Sequence, residues 1–241
     1  MGGLFSKKKV VWVPDSEKLE DLCADPDSWQ AQTSFRGFKM CNDAIILTKA
    51  MAKCKTCGNL DLSYCGLGDK EAIEIAKALS ANFNGNKTEG DPKQGTYKKI
   101  NLANNSIHRE GIEAICKALT PPPKTLFSLE EIDFSNNYAG PEGAKAIAQM
   151  MSMNRVLRSV SVRWNNIGNR GMLDLIAAMR PHHRDGKLDI RYNQFDFDND
   201  VEEWGDLIPI CKKALGADNV DGDDEGVIVG WSEMGIADMD D

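Results

Sequence analysis

The octapeptide VSVRWNNI at residues 160–167 contains the pattern that decides the fold, with apolar residues at its first, third and eighth positions and Asn at its sixth. Four other segments repeat this L-x-L-x-x-N/C-x-L pattern. The landmark residues of the five segments are Cys65, Asn105, Asn137, Asn165 and Asn193. The alternation of apolar residues predicts a short strand with every second side chain buried. The landmark then lies where the chain turns out of the strand, and an Asn amide there pairs backbone groups that the turn would leave unpaired.

The spacing of the landmarks predicts a stack of similar units. Successive landmarks are 40, 32, 28 and 28 residues apart, and apolar residues recur at helical spacing between them, as at Ile112, Ile115 and Leu119. One unit is too small to bury its apolar face alone, so the units must stack on each other. We interpret the extra length of the first two intervals as a polar, Gly-rich surface loop at 81–97 and a break at 121–123, which are all proline.

This pattern resembles the ribonuclease-inhibitor-like leucine-rich repeats, here in a short form of about five repeats over roughly residues 40–214. The resemblance implies an α/β fold, a leucine-rich repeat solenoid (horseshoe) with parallel strands on the concave face and α-helices on the convex face. Further helices are expected over 42–54 and over 200–214, the second closing the stack. The domain prediction has three parts: an N-terminal anchor and cap at 1–30, the repeat domain at 31–215 and an acidic C-terminal tail at 216–241.

Three glycines, Gly111, Gly143 and Gly171, each fall six residues after an Asn landmark and just before a predicted helix. Glycine permits either close packing or a backbone angle closed to other residues, and the sequence leaves both explanations open.

The charge of the chain is unevenly distributed. The formal net charge is −8, but nine acidic residues and no basic residue lie in 214–241, which leaves 29 basic and 28 acidic residues in the rest. A nearly neutral body offers no basic footprint, so nucleic acid is not expected as a partner. The apolar island at 226–231 within the acidic tail either packs on the body or forms a short docking segment.

The seven cysteines favour reduced thiols in a cytoplasmic protein. Cys54 and Cys57 form a C-x-x-C pair, but a structural zinc site normally needs a second pair, which the sequence lacks. The histidines His108, His182 and His183 accompany no nucleophile motif or phosphate-binding loop. We therefore expect no metal, no cofactor, no catalytic residue and no enzymatic activity.

The first nine residues predict a lipid anchor. Gly2 and Ser6 fit the N-myristoylation pattern M-G-x-x-x-[ST] once Met1 is removed. One myristoyl chain binds membranes only marginally, and Lys7–Lys9 supply the second signal by attraction to an anionic surface. The expected location is peripheral, on the cytoplasmic face of a membrane.

The strongest candidate binding residues are Arg163, Trp164, Arg191 and Tyr192. They occupy outward positions of two adjacent predicted strands, and these residue types are enriched at binding hot spots. The alternative is that the acidic tail folds back onto the two arginines. The resulting hypothesis is a non-catalytic scaffold that binds a protein partner through its concave face. Two alternatives remain: a regulator of a small GTPase, since the chain resembles Ran GTPase-activating proteins in its repeats and acidic tail, and a structural cytoskeletal or ciliary component.

Overall fold

The computed structural model describes residues 11–12, 20, 23–26, 29, 32–39, 44–85, 93–179, 186–194 and 227–229. The strands in chain order are β1 (Val11–Trp12), β2 (Gln32–Ser34), β3 (Asn59–Asp61), β4 (Lys93–Gln94), β5 (Lys99–Asn101), β6 (Leu126–Phe127), β7 (Glu131–Asp133), β8 (Ser159–Ser161), β9 (Lys187–Asp189) and β10 (Val227–Val229). The helices are α1 (Ala44–Lys53), α2 (Asp69–Gly85), α3 (Arg109–Leu119), α4 (Gly140–Met153) and α5 (Gly168–Ala178).

One main sheet has the order β1-β2-β3-β5-β7-β8-β9-β10 within the described ranges. Its strands from β1 to β9 are parallel, and their central residues stay in register, as in the pairing of Ile100 with Ile132 and of Val160 with Leu188. β10 pairs with β9 in the antiparallel direction. Residues 227–229 of the apolar island therefore pair with the edge of the repeat domain through their backbone. β4 and β6 form a separate two-stranded parallel pair.

The helices pack side by side in chain order, each contacting the next from α1 to α5. Their apolar faces and the inward residues of the strands share one core, which contains Leu60, Ile115, Phe134 and Ile147. Sequential contact between units is what a repeat stack requires. The predicted α/β repeat solenoid, with strands on one side and helices on the other, is confirmed, and the predicted helix over 42–54 is present as α1.

Close packing explains the glycines before the helices. A Cβ atom at Gly171 would lie 2.4 Å from Cγ2 of Ile167 and 2.7 Å from Cβ of Ala144 on the preceding helix. Gly111 and Gly143 meet similar contacts, the nearest at 2.6 Å and 2.9 Å. None of the three has a positive φ angle. Of the two explanations left open by the sequence, close packing is the correct one, against the same coil at all three glycines and also against the preceding helix at Gly111 and Gly171.

Gly171→Ala is expected to destabilise the protein although alanine favours helices. The helix-propensity gain is about 1 kcal/mol, while forced overpacking costs roughly 1–3 kcal/mol, so a net loss of about 1 kcal/mol follows. Urea unfolding followed by circular dichroism measures it. Gly85→Ala is the matched control, because a Cβ atom there meets nothing within 4 Å. Equal stability changes for the two variants would contradict the packing explanation.

The predicted surface loop at 81–97 is partly wrong. α2 continues to Gly85, β4 follows at Lys93–Gln94, and Phe83 and Tyr97 are fully buried. The ring of Phe83 lies 4.8 Å from that of Phe127, so an aromatic cluster fills the space behind the sheet. The composition of the segment is polar, but these two rings bury a large apolar area in the core.

A further coil precedes the five predicted units. Thr33, Phe35 and Phe38 are buried at the positions that the repeat pattern assigns to apolar residues and to the landmark. Phe35 and Gly37 donate their backbone N–H groups to the next coil just as the later repeats do. The sequence predicted the helix of this degenerate first repeat at 42–54 but not its strand and turn, because Phe38 replaces the landmark Asn or Cys. The predicted closing helix at 200–214 lies outside the described residues.

No helix in the described part of the chain is both long and apolar enough to cross a bilayer.

Candidate functional site

The landmark asparagines join each turn to the coil before it. Oδ1 of Asn105 accepts the N–H groups of Cys65 and Leu67 at 3.0 and 3.1 Å. Its Nδ2 donates to the carbonyl oxygens of Leu62 and Leu102 at 3.0 and 2.8 Å. Equivalent bonds to the own and preceding coils are made by Asn137, Asn165 and Asn193. The landmark side chains therefore fix the path of the backbone where it leaves each strand.

The residue just before each landmark has a left-handed backbone, with φ between +53° and +77°. We call these residues the αL row: Gly37, Tyr64, Asn104, Asn136, Trp164 and Tyr192. The left-handed turn directs the N–H groups of the row from Gly37 to Trp164 toward the next coil, as from Asn104 to the carbonyl of Ser135 at 2.8 Å. Glycine and asparagine tolerate this conformation, whereas large aromatic residues are strained in it. Tyr64, Trp164 and Tyr192 therefore occupy positions that local energetics disfavour.

The last residue of most strands caps the turn that follows. Asp133 accepts the N–H of Ser135 at 2.8 Å, and Asn101 accepts that of Ala103 at 2.9 Å. The outward polar column of the strands therefore has a structural role. Ser63 and Ala103 occupy the strand-facing position equivalent to Arg163, but both are buried because their side chains are short.

A compact cluster of charged and aromatic side chains lies at the C-terminal end of the αL row. Trp164 is 55% exposed, and its ring stacks on that of Tyr192 with centroids 4.6 Å apart and planes 9° apart. The guanidinium of Arg163 lies over the ring of Tyr192 at 5.0 Å. Arg191 binds Asp189 through Nε at 3.0 Å and Nη2 at 2.7 Å. We call these five residues the C-terminal cluster.

Arg163 is only weakly neutralised. Its Nε lies 3.8 Å from Oδ2 of Asp189, which already binds Arg191. That Nε is buried and forms no hydrogen bond within the described part of the chain. Two guanidinium groups therefore share one carboxylate, and the cluster keeps an excess positive charge that a partner carboxylate would stabilise.

An open depression of about 580 Å³ adjoins this cluster. Its lining includes Trp164 and Arg163 together with the short side chains of Ala103, Ser135 and Ser161. The other lining residues are polar, so the depression offers hydrogen-bonding groups beside one exposed aromatic ring. Such a combination suits a segment of a protein partner.

The cysteine pair is buried in the core beside α1. Cys57 donates its thiol to the carbonyl of Asn59 at 3.1 Å, and burial raises the pKa of Cys57 to about 11. Burial likewise raises the pKa of the landmark Cys65 to about 12. Thiols with such pKa values stay protonated at neutral pH, whereas nucleophilic and metal-binding cysteines act as thiolates. The absence of a metal site remains a prediction.

The histidines give no catalytic arrangement among the described residues. His108 stacks on Tyr138 with ring centroids 4.8 Å apart, and its Nδ1 lies 3.9 Å from Oδ2 of Asp69. Both rings lie at the surface, where the coils turn from strand to helix. His182 and His183 lie outside the described residues.

The structure brings the four predicted binding residues together. Arg163, Trp164, Arg191 and Tyr192 lie on adjacent coils, as the sequence predicted, and their role in binding remains a prediction. Sequence reasoning missed the part played by Asp189, which positions both arginines. The signal for it was present, since Asp189 stands two residues before Arg191 on the same predicted face. The predicted lipidation residue Gly2 and the adjacent Lys7–Lys9 lie outside the described residues.

Comparison with known proteins gives the same class of repeat. A family model described as Leucine Rich repeat matches residues 154–175. Mouse NACHT, LRR and PYD domains-containing protein 4B is 26% identical over 147 residues, which cover 60% of this chain and 15% of that protein. Mouse ribonuclease inhibitor is 27% identical over 90 residues, covering 36% of this chain and 19% of the inhibitor. The chain thus spans less than a fifth of the length of these relatives.

Among solved structures, Leiomodin-1 Actin-Binding Site 2 (ABS2) superposes with a TM-score of 0.53 at 19% identity, covering 69% of this chain and 88% of that one. At this identity the likeness shows the fold alone.

The register of the strands, the landmark turns and these similarities define a leucine-rich repeat protein. Within that class the chain is of the ribonuclease-inhibitor-like type, in which a full helix follows each strand.

Proposed function

We propose that this chain is a non-catalytic interaction scaffold that binds a protein partner through the strand-facing, concave surface at its C-terminal cluster. Proteins with leucine-rich repeats commonly use the extended surfaces of their solenoids for binding. The observation that carries the proposal is the placement of exposed aromatic residues at strained positions of the αL row.

The strain argument compares equivalent coils. Asn104 and Asn136 occupy the αL row at little expense, whereas a left-handed backbone costs other residues roughly 1–2 kcal/mol. Stacking on Tyr192 stabilises Trp164 by about 0.5–1.5 kcal/mol. This gain only offsets the backbone strain, so Trp164 adds little or nothing to the stability of the fold. Residues held in strained backbone conformations cluster at functional sites. Trp and Arg are also the types that contribute most at interface hot spots.

The proposal is tested by capturing partners from native lysate with wild type and with a variant that carries alanine at Arg163, Trp164, Arg191 and Tyr192. A second variant, Trp164→Asn, copies the residue of the neighbouring coils and keeps the fold. Its stability should stay within about 1 kcal/mol of wild type, because lost stacking and relieved strain offset each other. Partners captured by wild type should be lost from both variants.

Met153→Ala is the matched control, since it removes an exposed apolar side chain on the helix side. It should capture the same partners as wild type. Identical partner lists for all four proteins would contradict the assignment of binding to the strand-facing surface.

We further propose that the N-terminus tethers the scaffold to the cytoplasmic face of a membrane. The support is the sequence alone: Gly2 and Ser6 fit the myristoylation pattern, and Lys7–Lys9 add an electrostatic attraction of about 1 kcal/mol per residue near anionic lipid.

Gly2→Ala is expected to release the protein from membranes, because alanine removes the acceptor for the myristoyl group and the lysines alone bind weakly. Fractionation of expressing eukaryotic cells measures the membrane-bound share. Ser16→Ala, outside the motif, should leave that share unchanged. Equal membrane association of wild type and Gly2→Ala would dispose of the lipid anchor.

A cytoskeletal role is the second candidate, favoured by the fold likeness to a protein described as an actin-binding site. Co-sedimentation with filamentous actin distinguishes it from the leading proposal, and protein left in the supernatant at micromolar actin would exclude it. Regulation of a small GTPase is the remaining alternative. It requires faster GTP hydrolysis on addition of this chain, and no described residue matches a catalytic motif for that activity.

A further inference from the structure

A second cation–aromatic pair lies at the opposite end of the αL row. The guanidinium of Arg36 stands 4.4 Å from the ring centroid of Tyr64. Tyr64 is 49% exposed and has a left-handed backbone, as Trp164 does. The same strain argument therefore applies at both ends of the row. We call Arg36 and Tyr64 the N-terminal pair.

Tyr64 and Trp164 flank a stretch of smaller side chains on the strand-facing surface; we call this stretch the trough and the two aromatic residues its walls. Tyr64 follows β3 and Trp164 follows β8, and three strand-to-strand steps separate these strands in the sheet. At about 4.8 Å per step the walls are roughly 14 Å apart. Between them the αL row holds only Asn104 and Asn136, whose amides bond each other at 2.8 Å. The adjacent column holds only short side chains, at Ser63, Ala103 and Ser135.

The width of this trough matches one α-helix. Removing the half-thickness of two aromatic rings, about 1.7 Å each, leaves roughly 10–11 Å, and a helix with its side chains is about 10–12 Å across. An extended strand would leave one wall uncontacted, because neighbouring strands lie only about 4.8 Å apart.

The charges of the walls are positive. No carboxylate lies within 4.0 Å of the Arg36 guanidinium in the portion of the chain that the structure describes. Arg163 shares the single carboxylate of Asp189 with Arg191. The base of the trough differs, since Asp61 and Asp133 lie there with their carboxylates bonded to the turns. An occupant should therefore be acidic where it meets the walls and uncharged or basic where it meets the base.

We propose that the trough holds one α-helix of a protein partner, seated between Tyr64 and Trp164, with acidic side chains on both flanks directed at Arg36 and Arg163. This inference rests on the proposed function and specifies the kind of partner. It assigns Arg36 and Tyr64 a role in partner binding, as already proposed for the C-terminal cluster.

The test uses two stapled, fluorescein-labelled helical peptides of 16 residues built on alanine. One carries glutamate on both flanks, and the other carries lysine at the same positions. Binding to the full-length chain is measured by fluorescence anisotropy at 50 and 300 mM salt. The glutamate peptide should bind, less tightly at high salt because ion pairs are screened, and the lysine peptide should not.

Arg36→Ala and Arg163→Ala should each weaken binding of the glutamate peptide by about tenfold, and Tyr64→Ala by a similar factor. Arg155→Ala is the matched control, because it removes an equal charge from an exposed loop outside the trough. It should change the affinity less than about twofold. Equal binding of the two peptides, no binding of either, or an unchanged affinity for Arg36→Ala would each overturn the helix proposal.

The helix proposal and the scaffold proposal can be rejected independently of each other. Loss of lysate partners from Trp164→Asn together with an unaffected Arg36→Ala would keep the strand-facing scaffold and reject the helix in the trough. Retention of all partners by Trp164→Asn would reject the scaffold site itself.

Discussion

Phe134→Ala is expected to lower the free energy of unfolding by about 3–5 kcal/mol, the largest effect of any substitution considered for this chain. Phe134 has no exposed surface and follows β7 in the middle of the stack. Its ring belongs to the single core shared by strands and helices, so truncation removes buried apolar area and leaves a cavity between coils. Because each coil contacts only its neighbours, the loss falls on the centre of the stack and weakens both halves.

Urea unfolding measured by circular dichroism and tryptophan fluorescence tests this expectation, and coincident transitions would justify a single free energy. Tyr138→Ala is the control, since it removes an exposed aromatic side chain from the same coil. Its cost should stay below about 1 kcal/mol. A Phe134→Ala protein that unfolds within about 1 kcal/mol of wild type would mean that the register of the core is wrong.

Asn165→Ala is expected to destabilise the protein by roughly 1–3 kcal/mol, because alanine leaves buried backbone groups without partners. The amide of Asn165 donates to the carbonyl oxygens of Phe134 and Arg163, both at 2.9 Å. Its Oδ1 accepts the N–H of Ala139 at 3.2 Å. No water reaches a fully buried side chain to replace these bonds, so the penalty is that of desolvated, unpaired groups.

The same unfolding measurement applies to Asn165→Ala, with Gln149→Ala as its control. Gln149 is an exposed amide on α4, and its removal should change stability by no more than about 0.5 kcal/mol. If both variants unfolded at the same urea concentration, the landmark Asn would have no structural role. Asn165→Ala is unsuitable for binding studies, because Asn165 also holds the turn that presents Trp164.

The repeat register could be read from the sequence because each landmark combines two independent constraints. A buried Asn is tolerated only where several backbone groups need partners, and the apolar residues around it must alternate. Both hold at Asn105, Asn137 and Asn165, and the structure has strands and turns at those positions. The outward positions of Arg163 and Arg191 followed from this register through the period of two. Trp164 and Tyr192 were placed by their position at the turn just before the landmark.

Other features of the fold could not be predicted from the repeat pattern, because they depend on packing and on backbone angles. The strand and turn of the degenerate first repeat, at 32–38, were missed because Phe38 fills the landmark position by packing and no amide marks it. The buried cluster of Phe83 and Tyr97 lies in a segment whose average polarity conceals two large apolar rings. The strain of the αL row is a property of backbone angles. Its sequence trace is the occurrence of Gly37 and two asparagines at positions equivalent to those of three aromatic residues.

The direction of β10 has a consequence for self-association. A stack of parallel coils presents the same kind of edge at its end as at every internal junction, and such head-to-tail surfaces can propagate into filaments. β10 reverses the strand polarity at the β9 edge, so the row of backbone donors and acceptors beyond it no longer has the spacing of the internal junctions. A second copy of the chain that met this edge would therefore not find the parallel pairing of an internal junction.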